Sequence, residues 1–190
     1  MLIRLLPDQE KNLLIDIAEL LAFSDNPVLW DGKTYDELTA DTDLSNISIQ
    51  ANEKENELIE ELKQSAGITG IWDRSIFSRN ADIESRLVKN IKALSIHKTQ
   101  ESIARASAAK IVLAELLESQ DEFRPETPKI MLFEMFLVAL RDGVVSAIEQ
   151  ELLHEFKKLC KLPDFIFDEI KERAEVLNSE ISKTISLVLE

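Results

Sequence analysis

Cysteine occurs once, at Cys160, so no disulfide can close within this chain and its fold must come from packing. Four glycines and five prolines are too few for the many tight turns of a loop-rich β-sandwich. No apolar run approaches the roughly 20 residues that a membrane-spanning helix needs. The stretch Met1-Leu2-Ile3-Arg4-Leu5-Leu6-Pro7-Asp8 has no basic region followed by a sustained apolar one, so it does not read as a secretory signal. These absences predict a cytoplasmic protein with no transmembrane segment. Positive charge is scarce too. Against 36 Asp and Glu stand 22 Lys and Arg, a net charge of −14, which argues against nucleic acid as the main partner because phosphate binding needs clustered bases.

What is present points to one helical domain over 1–190. Hydrophobic residues make up 45% of 190, enough for a chain of this size to bury a core without a metal or disulfide. Charge is unevenly spread: residues 1–66 carry 15 acids and 5 bases, 67–120 carry 6 and 8, and 121–190 carry 15 and 9. A mildly basic middle between acidic ends is expected to face them within one fold. The sharper alternative is an anion or partner site near Arg74, Arg79, Arg86 and Lys89.

Helical periodicity is clear at 8–24, where Leu13, Leu14, Ile17, Leu20 and Leu21 share a face after Pro7. Residues 25–50, with Asn26-Pro27 and Asp31-Gly32, read as a long acidic loop without a convincing strand; Ile47-Ser48-Ile49 alternates too briefly. A helix over 52–66 is expected to end at Gly67. In the mixed stretch 68–79, Trp72, Ile76 and Phe77 would dock on the core. Asn80 and Thr99 would cap helices over 81–95 and 100–119, the latter with Ile103, Ala106, Ile111, Ala114 and Leu117 inside. Thr127-Pro128 opens a helix that is apolar on nearly every side to Leu140, interrupted by Glu134. Such a helix belongs at the centre of a bundle. Ser146 and Glu149 form a capping box for the next helix. Pro163 opens the last, with Ile166, Ile170, Ala174, Leu177, Ile181 and Ile185 at spacings of three and four. The expected fold is a compact all-α bundle of about seven helices around a buried helix at about 128–141.

Two helix ends echo one another: Leu20-Leu21-Ala22-Phe23-Ser24-Asp25-Asn26 and Leu137-Val138-Ala139-Leu140-Arg141-Asp142-Gly143. Each closes on an Asp followed by a residue that tolerates positive φ. The second is followed, after five residues, by Glu149 opening a helix. That arrangement, best over 128–162 and extending to 8–26, resembles the tellurite-resistance TerB-like family. The resemblance implies an all-helical stress-response protein with acidic helix junctions that hold a metal. Asp142 and Glu149 would carry over directly, and Asp25 through the echo. Asp31 is a further oxygen donor, although Asn26-Pro27 stands after Asp25 where the second copy has glycine, and Glu37 falls one residue short of the matching spacing.

Carboxylate donors suit Ca²⁺, Mg²⁺ or Mn²⁺ better than Zn²⁺. Asp41-Thr42-Asp43 starts like a calcium loop, but position six is Asn46 and position twelve Asn52, where Gly and Glu are wanted. Glu151-Leu152-Leu153-His154 matches half of a di-iron motif without its second half. Structural roles compete with each of these: a cap for Glu149, a turn for Asp142, an inert buried thiol for Cys160. No phosphate loop, nucleophile elbow or zinc spacing occurs, so an enzyme is not expected. The leading expectation is a TerB-like protein of metal or tellurite stress that binds a divalent cation or docks to a membrane-associated partner complex. The alternative is a pure protein–protein interaction module that uses its acidic surface and no metal.

Overall fold

Leu13, Leu14, Ile17, Leu20 and Leu21 do line one buried face of α1 (Asp8–Asp25), but Ile15, Ala18, Glu19, Ala22 and Ser24 are buried as well. A helix covered this fully has neighbours all round. α1 packs against α2 (Glu53–Ala66), α3 (Arg74–Lys92), α4 (Ser102–Glu118), α5 (Thr127–Ala139) and α6 (Ala147–Leu159). The structure, a computed structural model, describes residues 1–50, 52–67, 74–118, 123–141 and 143–189. Among them the expected all-α bundle is present, with α7 (Asp164–Leu189) completing seven α-helices.

The apolar helix α5 is central, as its composition predicts, and shares the centre with α1. Met131, Leu132, Met135 and Phe136 are buried in it. Its one acid, Glu134, is fully buried, and the carboxylate accepts the backbone N–H of Leu2 and, at 3.1 Å, that of Ile3. The N-terminal 3-10 turn Leu2–Leu5 is thereby tied to α5. Thr127 opens α5 and donates its hydroxyl to Glu10 of α1 at 2.7 Å.

Four expectations need correction. First, residues 25–50 are an ordered excursion and contain strands. β1 (Val28–Trp30) pairs antiparallel with β2 (Ile47–Ile49), Val28 opposite Ile49. Asp31 (φ 52°) and Gly32 (φ 75°) form a two-residue turn closed by Trp30–Lys33 backbone hydrogen bonds of 2.8 and 2.9 Å. Asp-Gly is a strong short-range signal for that turn, because both residues tolerate positive φ. Trp30, buried at 1% exposure, pins the excursion to the core.

Second, α3 begins at Arg74, so Asn80 lies inside it rather than capping it. Third, Thr99 does not cap α4; it sits in a 3-10 turn (Ile96–Gln100) and donates to Ile96 O at 2.6 Å. α4 keeps Ala106 inside and Leu117 against the core as expected, but its inward face is rotated away from the two isoleucines. Ala106, Ala109, Val112, Leu113 and Leu116 are buried, whereas Ile103 is 81% and Ile111 50% exposed. The small alanines let α4 approach α1 and α6 closely, which outweighs burial of two isoleucines. Fourth, the stripe of α7 is buried only in its first half, where it lies on α5. Trp72 and Asp142 lie outside the described residues, as do the side chains of residues 74–81, including Arg74, Ile76, Phe77 and Arg79.

Candidate functional site

The sites worth testing are the two helix junctions. At the first, Asp25 ends α1 and is exposed. Asn26 follows at φ −73°, ψ 148°, extended rather than left-handed. Pro27 explains this, since its ring clashes with a helical conformation in the preceding residue. Arg105 of α4 reaches this end. Its guanidinium donates to Ser24 O at 2.6 Å and to Asn26 O. Burial pushes this guanidinium below its ordinary range, and the Asp25 carboxylate works against that fall. A fixed cation therefore stands at the helix end, whose carbonyls carry partial negative charge.

The second junction ends differently. Gly143 has φ 84°, and its N–H donates to Leu140 O at 2.9 Å, the left-handed stop that Gly permits. Asn178 of α7 donates to the same carbonyl at 3.0 Å, so a third helix braces the turn. The two echoing segments thus share a pattern of letters and differ in backbone. Beyond the turn, the capping box forms as expected: Ser146 N–H donates to Glu149 Oε2 at 2.7 Å, and Glu149 N–H to Ser146 Oγ at 3.2 Å.

The remaining acids are placed one by one. Asp31 Oδ1 accepts from Asn46 Nδ2 at 3.2 Å across the base of the excursion. Glu37 accepts from the N–H and hydroxyl of Thr34, both at 2.9 Å, which hold its carboxyl below the usual range. Asp43 accepts from the Ser45 hydroxyl at 2.7 Å and N–H at 2.9 Å, with the same consequence. The calcium-like stretch is therefore an Asx turn. Among the described residues, no three His, Cys, Asp or Glu side chains converge as a metal-holding group.

The half di-iron motif splits apart. Glu151 pairs with Lys110 of α4, while His154 stacks on Phe167 of α7, centroids 4.8 Å apart at 24°. Lys110, Arg105 and Lys92 are among the described bases through which the middle of the chain meets its acidic ends. Arg86, by contrast, pairs within the middle, with Glu115 at 2.8 Å. Burial pushes the Cys160 thiol up to about 12, so it carries almost no thiolate at neutral pH.

Clefts lined by described residues include two open ones. One, of about 320 Å³, lies between the excursion and α3 and is lined by Trp30, Leu44, Ile47, Lys92, Ile96 and Thr99. The other, of about 260 Å³, lies beside the α5–α6 junction, with Val145, His154, Phe167, Lys171 and Glu175.

Sequence reasoning missed two contacts. Arg105 could have been suspected as a single long base between Ala104 and Ala106 on an inward-facing helix. The Tyr35 hydroxyl and His97 Nδ1, 2.6 Å apart, join the excursion to the 3-10 turn at 96–100 across 62 residues of sequence, a pairing no local pattern signals. No helix among the described residues is long and apolar enough to cross a membrane. The chain matches no protein-family model, no curated protein and no solved structure.

Proposed function

We propose that this chain is a non-enzymatic interaction protein that docks a basic protein surface through its acidic excursion. One observation carries the reading. Residues 25–50 form an anchored hairpin on which Asp25, Asp31, Asp36, Glu37, Asp41 and Asp43 are all exposed, with Lys33 as the one base in that segment. Mutual repulsion of six carboxylates opposes a compact arrangement, so a rigid array of them suits a partner of opposite charge. Such a field mainly sets encounter rate and specificity, and it weakens with salt.

The TerB-like resemblance favours placing that docking in metal or tellurite stress, with a partner complex at the membrane. Its other form is a divalent cation, Ca²⁺, Mg²⁺ or Mn²⁺, held by Asp25, Asp142 and Glu149 with Asp31 as a further donor. Against the cation stand Arg105, which already supplies positive charge beside Asp25, and the Ser146 N–H, which already uses Glu149 Oε2.

Thermal melts of chelator-stripped protein with each ion, on the wild type and Asp142→Asn, separate the two forms. Docking predicts no cation-specific shift, together with a partner complex that salt dissociates and that Asp36→Asn with Asp41→Asn weakens. A cation held at 100 times its Kd would add about 2.7 kcal/mol to the folded state. That gain, lost in Asp142→Asn, would overturn the metal-free reading. A complex indifferent to salt and to both substitutions would overturn docking through the excursion.

A further inference from the structure

α7 outruns the domain it belongs to. Its first half is seated on α5: Phe167 meets Phe136 edge-on at 5.3 Å, Ala174 is fully buried, and Asn178 caps the end of α5. From Ser179 to Leu189 every residue is exposed. At about 1.5 Å per residue, this leaves roughly 16 Å of helix clear of the bundle. An isolated helix that short is marginal in water, so its apolar face calls for a cover.

The pattern on that free half is not random. Phe167, Ile170, Ala174, Leu177, Ile181, Thr184 and Val188 alternate at spacings of three and four, the a/d repeat of a two-helix seam. The stripe that seats α7 on α5 therefore continues in register past the last intramolecular contact. Leu177, Ile181, Ile185 and Val188 are 40%, 47%, 53% and 75% exposed. Thr184 fits an apolar seam because its hydroxyl is already satisfied by Glu180 O at 2.8 Å.

We propose that this stripe is covered by the same segment of a second copy, packed antiparallel as a short two-helix seam. Charge selects that occupant. In a chain of net charge −14, residues 177–189 carry only Glu180 and Lys183, which pair with each other at 2.7 Å. Two copies can meet here without like-charge contact. Antiparallel packing also sends the two acidic domains to opposite ends, where a parallel pair would bring them together. A strongly basic partner is drawn to the acids elsewhere and gains nothing from this neutral stripe. A membrane-surface helix would carry Lys and Arg on the face away from its apolar stripe, whereas here that face is Val176, Ser179, Glu180, Ser182, Ser186 and Leu187 with a single Lys183.

In the seam, Leu177 of one copy lies against Val188 of the other, and Ile181 against Thr184, with Ile185 flanking. The aliphatic surface covered is roughly 300 Å² per copy. A standard stable interface buries about 800 Å² per partner, so this dimer is weak and reversible. The inference is independent of the acidic excursion.

Sedimentation from about 1 μM to about 1 mM tests it. The wild type should pass from monomer to dimer with concentration. Ile181→Glu with Ile185→Glu should keep its helicity and melting temperature and weaken dimerisation by about tenfold or more. In a Cys160→Ser background, Leu177→Cys mixed with Val188→Cys should crosslink to each other and not to themselves. A monomer at every concentration, a dimer that survives the double Glu variant, Leu177→Cys crosslinking to itself, or a monomer that floats with phosphatidylcholine vesicles would each overturn the proposal.

Discussion

Glu19 is an acid whose titration the fold shifts strongly. It lies in the middle of α1, fully buried, with Lys63 Nζ of α2 at 3.1 Å. Lys63 is itself 3% exposed and also pairs with Glu60 at 3.1 Å. Loss of water pushes the Glu19 carboxyl from 4.5 up to about 7, the dominant effect; Lys63 opposes the rise, and Asp16 and Glu60 add to it. Below about pH 4.5 the group is protonated in both the folded and unfolded chain. As pH rises, the unfolded chain releases its proton first, while the folded one holds it until about 7. Stability from this group is therefore complete at low pH and lost between about 4.5 and 7. At ~1.4 kcal/mol per pH unit, the loss is roughly 3 kcal/mol. That is a sizeable part of the ~5–15 kcal/mol that holds a domain together.

The perturbation is Glu19→Gln, which keeps shape and removes the proton. Melting temperatures of wild type and variant are recorded from pH 5 to pH 8 and subtracted, so that groups common to both cancel. The difference should grow in favour of the variant by roughly 3 kcal/mol, or about 6–12 °C for a chain of this length. Curves that stay parallel across that range would show that Glu19 titrates as an exposed carboxyl and would refute the argument from burial.

Two further outcomes follow from the helix ends. Ser146→Ala removes the acceptor for Glu149 N–H and should cost about 1 kcal/mol in urea unfolding, with no change in the slope against urea. Arg105→Met strands the Ser24 and Asn26 carbonyls and should cost about 2–3 kcal/mol, whereas Asp25→Asn should cost under about 1. The reverse order would mean that Asp25, not the arginine, organises the end of α1.

Local chemistry was legible where a residue's neighbours in sequence are also its neighbours in space. The Ser146–Glu149 box, the Gly67 and Gly143 stops and the apolar α5 are of that kind. What failed needed a distant partner. Val28–Trp30 is too short to announce a strand until Ile47–Ile49 pairs with it. The alanine-rich α4 is apolar on average with little difference between its faces, so periodicity found Ala106 but could not choose Ala109 and Val112 over Ile103 and Ile111. The echo of Asp25-Asn26 with Asp142-Gly143 shows the reverse error, since Pro27 alone changes the backbone that the shared letters suggest. As for the candidate site, Glu149 has a local hydrogen-bond role in its capping box, while Asp31 bonds Asn46 fifteen residues away, a partner no local pattern signals.

The burial of α1 on all sides has a consequence for how the protein is made. α1 leaves the ribosome before α6, which helps cover it and starts about 120 residues later. At roughly 5–20 residues per second, the nascent chain spends on the order of 6–25 s with Leu13, Leu14, Ile17, Leu20 and Leu21 lacking their full set of partners. The packing of α1 cannot be completed until α5 and α6 arrive, and until then the stretch exposes the kind of apolar surface that chaperones bind.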